Sequence, residues 1–147
     1  MTTPLMPELS AVNAEVFLRS WLLPVVATTP VGAGVGSKLW TVGFPKPYRA
    51  VRRVAGGYSE YGDEPLMRVH TFGASYSDAG SAAGVTDDRL RVLVEYPGWS
   101  TVLPDGGVAH CDWCEVSSGA SEEPYSAETV VFRFVTEVRL GLSFVPA

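Results

Sequence analysis

The sequence has few of the residues that most often carry chemistry. Its 147 residues include only two cysteines and two histidines. Two histidines leave little room for a Ser-His-Asp arrangement, and no Gly-x-Ser-x-Gly motif is present. The glycine-rich segments "GVGS" (34–37) and "AGSAAG" (79–84) lack the lysine of a phosphate-binding loop. We therefore expect no enzymatic activity and no cofactor.

Long apolar runs are also absent. No segment approaches the roughly 18 consecutive apolar residues that span a bilayer. The opening stretch, "MTTPLMPELSAVNAEVF", has no charged region followed by an apolar one, as a secretory signal would. We expect a protein that stays in the cytosol where it is made and has no membrane partner. In a reducing cytosol the two cysteines are expected to remain free thiols.

Both cysteines lie in "HCDWC", residues 110–114. The segment could be a redox pair, half of a zinc site, or a strand that contains thiols. A redox Cys-x-x-Cys sits at a helix N-terminus, whereas both flanks here are typical of strands. A structural zinc site needs four ligands, usually from two such pairs, and this chain has one pair plus His110 and the distant His70, which disfavours the site. Residues three apart in a regular strand point to opposite faces, so we predict one buried and one exposed cysteine, and no metal site.

The composition favours one globular domain over residues 1–147, since 46% hydrophobic and 11% aromatic residues suffice for a core. Helical spacing predicts a first helix from about Ser10 to Leu23, which Pro24 ends, and a second over 77–95 with Ser77 as its cap. Runs of β-branched and aromatic residues predict strands. The predicted strands cover 37–44, 48–54, 66–72, 108–116 and 128–142. We expect His70 to point outward beside Arg68.

The last predicted strand alternates between two sets of residues, one largely apolar and one containing the charged residues. Its apolar face would carry Val130, Phe132, Phe134, Thr136, Val138, Leu140 and Leu142. Its other face would carry Arg133, Glu137 and Arg139. From Val130 to Leu142 such a strand would extend about 40 Å, so we expect part of it to lie outside the sheet or to pair with a neighbour. The order α-β-β-β-α-β-β predicts an α+β fold, with two helices against a mostly antiparallel or mixed sheet of about five strands.

Charge is distributed unevenly along the chain. The net charge is −5, and residues 98–147 contain seven Asp or Glu but only two Lys or Arg. Basic residues crowd instead into "KPYRAVRR" (46–53). These could be two solvated faces, or surfaces that complement another copy of the chain. A grip on nucleic-acid phosphates is disfavoured in so acidic a protein. Our candidate subunit-interface residues are Arg49, Arg52 and Arg53 on one side and Glu122, Glu123 and Glu137 on the other.

The order of these segments resembles the tail terminator proteins of long-tailed bacteriophages, especially phages of actinobacteria. The resemblance extends from about Ala14 to Leu142. It rests on "AEVFLRSWL", "VRRVAGG", "DEPLMRVHTFG", "SDAGSAAGVTDDRLRVLV", "EVSSGASEEP" and "VVFRFVTEVRLGL". The "HCDWC" stretch and the loop at 97–107 are not features of that family.

The resemblance implies an α+β subunit of a six-fold ring at the head-proximal end of the tail tube. Such a ring stops tube polymerisation and joins the tail to the neck. The implied partners are other copies of the chain, the major tail tube protein and the head-tail connector, with DNA only passing through the lumen. The implied location is the neck region of the virion tail, after assembly in the host cytoplasm. The alternatives are another head-completion or tail-tube ring protein, or a small cytosolic thiol or zinc protein.

Overall fold

Two helices pack against a mixed β-sheet in the computed structural model, which describes residues 9–28, 34–96, 98–125 and 131–146. The helices are α1 (Ala14–Thr28) and α2 (Tyr76–Glu95). The strands are β1 (Leu9–Ser10), β2 (Gly34–Gly36), β3 (Tyr48–Tyr58), β4 (Gly62–Gly73), β5 (Ser100–Val102), β6 (Val108–Glu122), β7 (Phe132–Ser143) and β8 (Val145–Pro146). The α+β class with two helices is therefore confirmed.

The main sheet has six strands in the order β2-β3-β4-β7-β6-β5. Only the β2–β3 pair is parallel, and the other pairs are antiparallel. The last long strand, β7, lies at the centre and pairs with β4 on one side and β6 on the other. A separate pair of short strands joins β1 to β8. Of the two expectations for the closing strand, pairing with a neighbour is confirmed, because β4 and β6 flank β7, and the described part of β7 does not lie outside the sheet.

Helix α1 begins after Asn13, whose side-chain oxygen accepts bonds from the backbone N–H groups of Glu15 (3.0 Å) and Val16 (3.1 Å). This satisfies donors that the first helical turn leaves free. The helix continues to Thr28 although Pro24 cannot donate to the Ser20 carbonyl. The predicted end at Leu23 is therefore wrong. Pro24 and Leu23 lie on the exposed side, while Phe17 and Trp21, within the two preceding turns, are buried and anchor the helix.

Helix α2 is capped by Ser75, whose hydroxyl accepts from the Asp78 N–H at 3.1 Å, and not by the predicted Ser77. Its first half buries small residues, so the helix axis approaches the sheet closely. A Cβ at Gly73 would collide with the backbone of Ala79. Further along, Leu90 and Leu93 enter the main core with both cysteines and the buried residues of α1. Both helices thus cover the same face of the sheet.

The two helices are joined by reciprocal contacts between Trp21 and Arg89. The Trp21 indole donates to the Arg89 carbonyl at 3.1 Å, and Arg89 Nε donates to the Trp21 carbonyl at 2.9 Å. The guanidinium also lies 3.7 Å from the centre of the Trp21 ring. A buried cation–π contact with hydrogen bonds in both directions fixes the helices relative to each other.

Half of the opposite sheet face is covered by an aromatic layer. Residues 37–47 form a loop that lays Trp40 and Phe44 on Tyr48 and Phe72, together with Tyr125. The predicted strand at 37–44 is therefore wrong, and the extended pairing occurs at β2 instead. The β5 strand was not predicted. The predicted closing strand began at 128, but Val130 and its neighbours at 126–129 lie outside the described residues.

Candidate assembly surface

Arg49, an interface candidate from the sequence, is buried within the fold of one chain, with 0% of its surface exposed. Its position on β3 faces α2, where Nε donates to the Thr86 hydroxyl (2.5 Å) and Nη2 to the Ala82 carbonyl (3.1 Å). Desolvation lowers the pKa of this guanidinium, and Nη1 has no hydrogen-bond partner among the described residues. Arg49 therefore cannot contact a second subunit without unfolding this region.

Arg53 is committed to contacts within its own chain. Its guanidinium forms a two-pronged ion pair with Asp63, in which Nη2 and Oδ1 are 2.7 Å apart. The hydrogen bonds that its guanidinium donates to Asp63 raise the pKa of Arg53. Its backbone N–H donates to Glu15 Oε2 of α1 at 3.1 Å, which covers this part of the β3 edge. Asp63 is almost fully buried, so breaking this pair would leave an uncompensated charge.

Arg52 is exposed on the sheet face away from the helices. Its cross-strand neighbour is Arg68, and Arg68 in turn pairs with Glu137 of β7 at 3.3 Å. No carboxylate among the described residues forms an ion pair with Arg52. Like charges directly opposite one another destabilise a sheet unless a counter-charge is supplied. Arg52 is thus an exposed cation whose local surroundings favour an acidic partner.

The three acidic candidates also differ in whether they already have an ion-pair partner within the chain. Glu137 is engaged by Arg68, and Glu123 accepts a bond from Arg133 at 3.1 Å. Glu122, at the end of β6, is exposed and forms no ion pair within the described parts of the chain. Of the six candidates, Arg52 and Glu122 therefore remain free for a second subunit. They lie on strands next to opposite edges of the main sheet.

The "HCDWC" segment lies in β6, but both cysteines face the helices. A bulge between Cys111 and Trp113 adds one residue to β6, so Cys111 and Cys114 oppose Leu142 and Leu140 of the same face of β7. The prediction that one thiol is exposed is therefore wrong. Burial raises the pKa of Cys111 to about 11 and of Cys114 to about 12. Such thiols are protonated at neutral pH and are poor nucleophiles and metal ligands.

No group of three or more potential metal ligands comes together within the described ranges. In the same part of the chain, no helix is long and apolar enough to cross a membrane.

His70 also departs from its prediction, because it is only 7% exposed. Its cross-strand neighbours Ala50 and Val135 are buried beside the aromatic layer, so this row of the sheet is closed to water. Burial, together with the charges of Arg133 and other nearby arginines, lowers the pKa of His70 to about 4. The ring is therefore neutral at physiological pH.

A pocket of about 240 Å³ lies where the β3–β4 hairpin meets β6 and β7. We call it the Trp113 pocket; its lining includes Tyr61, Gly62, Glu64, Asp112, Trp113 and Gly141. The bulge in β6 turns Trp113 toward β7, where a Cβ at Gly141 would collide with the indole. Sequence analysis did not identify this pocket. The available signals in the sequence were Gly62 of β4 and Gly141 of β7, because a glycine within a strand indicates that another group approaches the backbone closely.

Comparisons with known proteins show a likeness in fold. No family model and no curated protein matches the sequence. The fold matches a chain from the virion of a native gene transfer agent (GTA) particle, with a TM-score of 0.51 and 14% sequence identity. The match covers 89% of this chain and 99% of the other. The two proteins therefore share a fold across almost their whole lengths.

Proposed function

We propose that this chain is a structural virion protein, a tail terminator that forms a ring at the head-proximal end of a phage tail tube. The observation that carries the proposal is the fold shared with a GTA virion chain over 99% of that chain. The order of segments along the sequence, which resembles tail terminators, supports the finer assignment. The mechanism is steric: the closed ring caps the tube and presents its other surface to the head-tail connector.

Ring formation requires a head-to-tail interface that joins two different patches, because a self-complementary patch stops at a dimer. The described surface offers charged groups for such patches, among them Arg52, which is exposed on β3 and forms no ion pair with a described carboxylate. We propose that Arg52 of one copy approaches an acidic surface of the next. The ring would be hexameric, with DNA passing only through its lumen, and would assemble in the host cytoplasm.

The first experiment tests the role in the tail. A phage that lacks this chain should produce tubes of uncontrolled length that do not join heads, as seen by electron microscopy. A density map of the intact particle should place the chain in a ring between tube and connector. Its location within the tube itself or in the head would instead identify another ring protein of the virion and contradict the terminator assignment.

The second experiment tests the charged contact with matched variants. Arg52→Glu should weaken ring formation, measured by sedimentation or native mass spectrometry with assembled tubes present as a template. Arg91→Glu is the control, since Arg91 is an exposed arginine on α2 whose ion pair within the described residues is with its helical neighbour Asp88. Equal assembly of the two variants would contradict a role for Arg52 at the interface.

A further inference from the structure

A rigid apolar turn projects from the loop at 37–47. We call it the Val42 turn, residues 41–44, which is closed by a bond from the Phe44 N–H to the Thr41 carbonyl at 3.1 Å. Gly43 has φ of +101°, as the third position of a type II turn requires. Val42 at the tip is 87% exposed. No other large hydrophobic side chain among the described residues has a larger exposed fraction.

The loop beneath the Val42 turn is held firmly. Trp40 is only 5% exposed, and its indole donates to the Phe44 carbonyl at 3.2 Å. The Tyr125 hydroxyl donates to the Trp40 carbonyl at 2.7 Å, and the Tyr48 hydroxyl to the Lys38 carbonyl at 3.1 Å. A turn fixed in this way loses little conformational entropy on binding, so its exposed tip suits insertion into a partner.

The Trp113 pocket has the complementary chemistry. Exposed aromatic surface comes from Tyr61 and Trp113, which are 78% and 37% exposed. Its rim carries Glu64 and Asp112, and neither forms an ion pair with a basic residue in the part of the chain described. The loop of the Val42 turn carries the opposite charge, with Lys38 exposed and Lys46 held above Trp40 at 5.1 Å from its ring centre.

The turn and the pocket cannot meet within one chain. The loop leads into the start of β3 at Tyr48, whereas Ser59 and Tyr61 of the pocket follow the other end of that strand at Tyr58. Eleven residues of strand separate the two features by about 35 Å. The loop also lies on the β2–β3 side of the sheet, and Trp113 and Asp112 lie on β6 toward the other side.

We infer that the Val42 turn of one copy docks into the Trp113 pocket of the next. This inference rests on the proposed ring, for which it supplies the apolar contact. Val42 would contact the rings of Trp113 and Tyr61, while Lys38 and Lys46 approach Glu64 and Asp112. The turn and the pocket are two different patches near opposite ends of β3. The same contact can therefore repeat from copy to copy, as a closed ring requires.

The test uses the head-to-tail geometry. Val42→Glu removes the turn but keeps the pocket, and Trp113→Ala removes the pocket but keeps the turn. Each variant alone should associate at least about 30-fold more weakly than the wild type, as for an interface anchor. Mixed together, they retain one intact contact and should form a heterodimer and nothing larger. Sedimentation and native mass spectrometry distinguish monomer, dimer and ring.

Two further variants protect the test against misfolding. Val85→Glu introduces the same charge at another exposed valine, on α2, and should assemble normally. Glu64→Lys alters the exposed rim of the pocket without removing the indole and should weaken assembly as Trp113→Ala does. Normal rings from Val42→Glu, or a mixture without heterodimer, would overturn the docking while leaving the ring intact. A wild-type chain that stays monomeric even on tail tubes would overturn the ring and the docking together.

Discussion

The side chains of Cys111 and Cys114 are buried, and this burial removes the reactivity that their spacing in the sequence suggests. One extra residue in β6 turns both thiols toward the helices. With pKa values of about 11 and about 12, both should be protonated across the neutral range. Both cysteines of the motif therefore pack in the core of this fold.

We predict that neither thiol of the native protein reacts with a thiol-specific reagent at pH 8 on the timescale in which a denatured sample reacts fully. Reaction requires the thiolate and access, and burial removes both. The measurement is a spectrophotometric thiol titration with and without denaturant. Rapid modification of one native thiol, or stoichiometric zinc in protein purified without added metal, would show that the buried arrangement is wrong.

His70 should make the protein sensitive to acid. Its folded-state pKa of about 4 lies below the ordinary value of 6.5, so the unfolded chain binds the proton more tightly. Stability is therefore unaffected above about pH 7 and is lost as pH falls through the window between these two values. The largest cause is burial, followed by the charge of Arg133, with Arg68 and Arg52 adding to it and Glu123 opposing it.

The test compares the wild type with His70→Gln. Between pH 7 and pH 4 the unfolding free energy of the wild type should fall by about 2 to 3 kcal/mol more than that of the variant. Urea denaturation at several pH values gives both curves, and carboxylates that titrate in both proteins cancel in the difference. Parallel curves would mean that the imidazole is accessible to protons in the folded state.

At the scale of elements, the alternating pattern of β7 predicted the side that faces the helices correctly, but it did not predict that the other side is partly buried. Phe134, Val138, Leu140 and Leu142 are buried toward the helices, as the pattern indicates. Val135 on the other face is buried as well, because the aromatic layer covers that half of the sheet. Arg133 is 13% exposed through its side chain and bonds to Glu123 and Pro124, so it is not a simple solvent-facing residue.

We predict that Phe134→Ala costs about 3 to 5 kcal/mol of unfolding free energy, because it opens a cavity beside α2. Arg139→Ala, on the exposed side of the same strand, should change stability by no more than about 0.5 kcal/mol. Denaturant midpoints with unchanged slopes would measure both effects. Similar losses for the two variants would mean that the helix-facing side of β7 has been assigned wrongly.

The elements that sequence reasoning identified were those with a local signal. Helix α2 has a cap residue and helical spacing, and β3, β4 and β6 have β-rich runs bounded by turn residues. The segment at 37–44 is equally rich in strand-forming residues, yet it is a loop. Aromatic residues such as Trp40 and Phe44 are common in strands because they pack well on a partly buried surface. Here the loop lies on the sheet and buries the same side chains without forming a strand.

The candidate interface was less predictable because it depends on pairings between distant strands. Nothing local distinguishes Arg49, Arg52 and Arg53, which are adjacent in one basic segment. Helix α2 encloses the first, Asp63 engages the third, and only the second stays free on the surface. The Trp113 pocket likewise requires a bulge and two glycines from different strands, which no single window of sequence contains.

For the whole molecule, two kinds of contact would hold the proposed ring, and salt separates them. An exposed ion pair contributes about 0 to 1 kcal/mol, so Arg52 would set register and orientation more than strength. Insertion of Val42 between the rings of Trp113 and Tyr61 would supply the apolar part, which salt does not screen, while the lysines of its loop and the acidic rim of the pocket would add a second screened attraction. The wild-type ring should therefore weaken modestly, without dissociating fully, as ionic strength rises.

The contribution of residue 52 to the salt effect should reverse its sign in Arg52→Glu. In the wild type, Arg52 faces an acidic surface of the next copy across the interface, and screening removes an attraction. In the variant, the introduced carboxylate would face the same acidic surface, and screening removes a repulsion. From about 0.01 M to about 1 M salt the screening length falls from about 30 Å to about 3 Å, which covers both regimes. Association constants from sedimentation should fall with salt for the wild type and for the Arg91→Glu control, and should fall much less steeply, or rise, for Arg52→Glu. Equal falls in all three would mean that Arg52 lies outside the interface and that the attraction which salt screens lies at other charged groups of the ring.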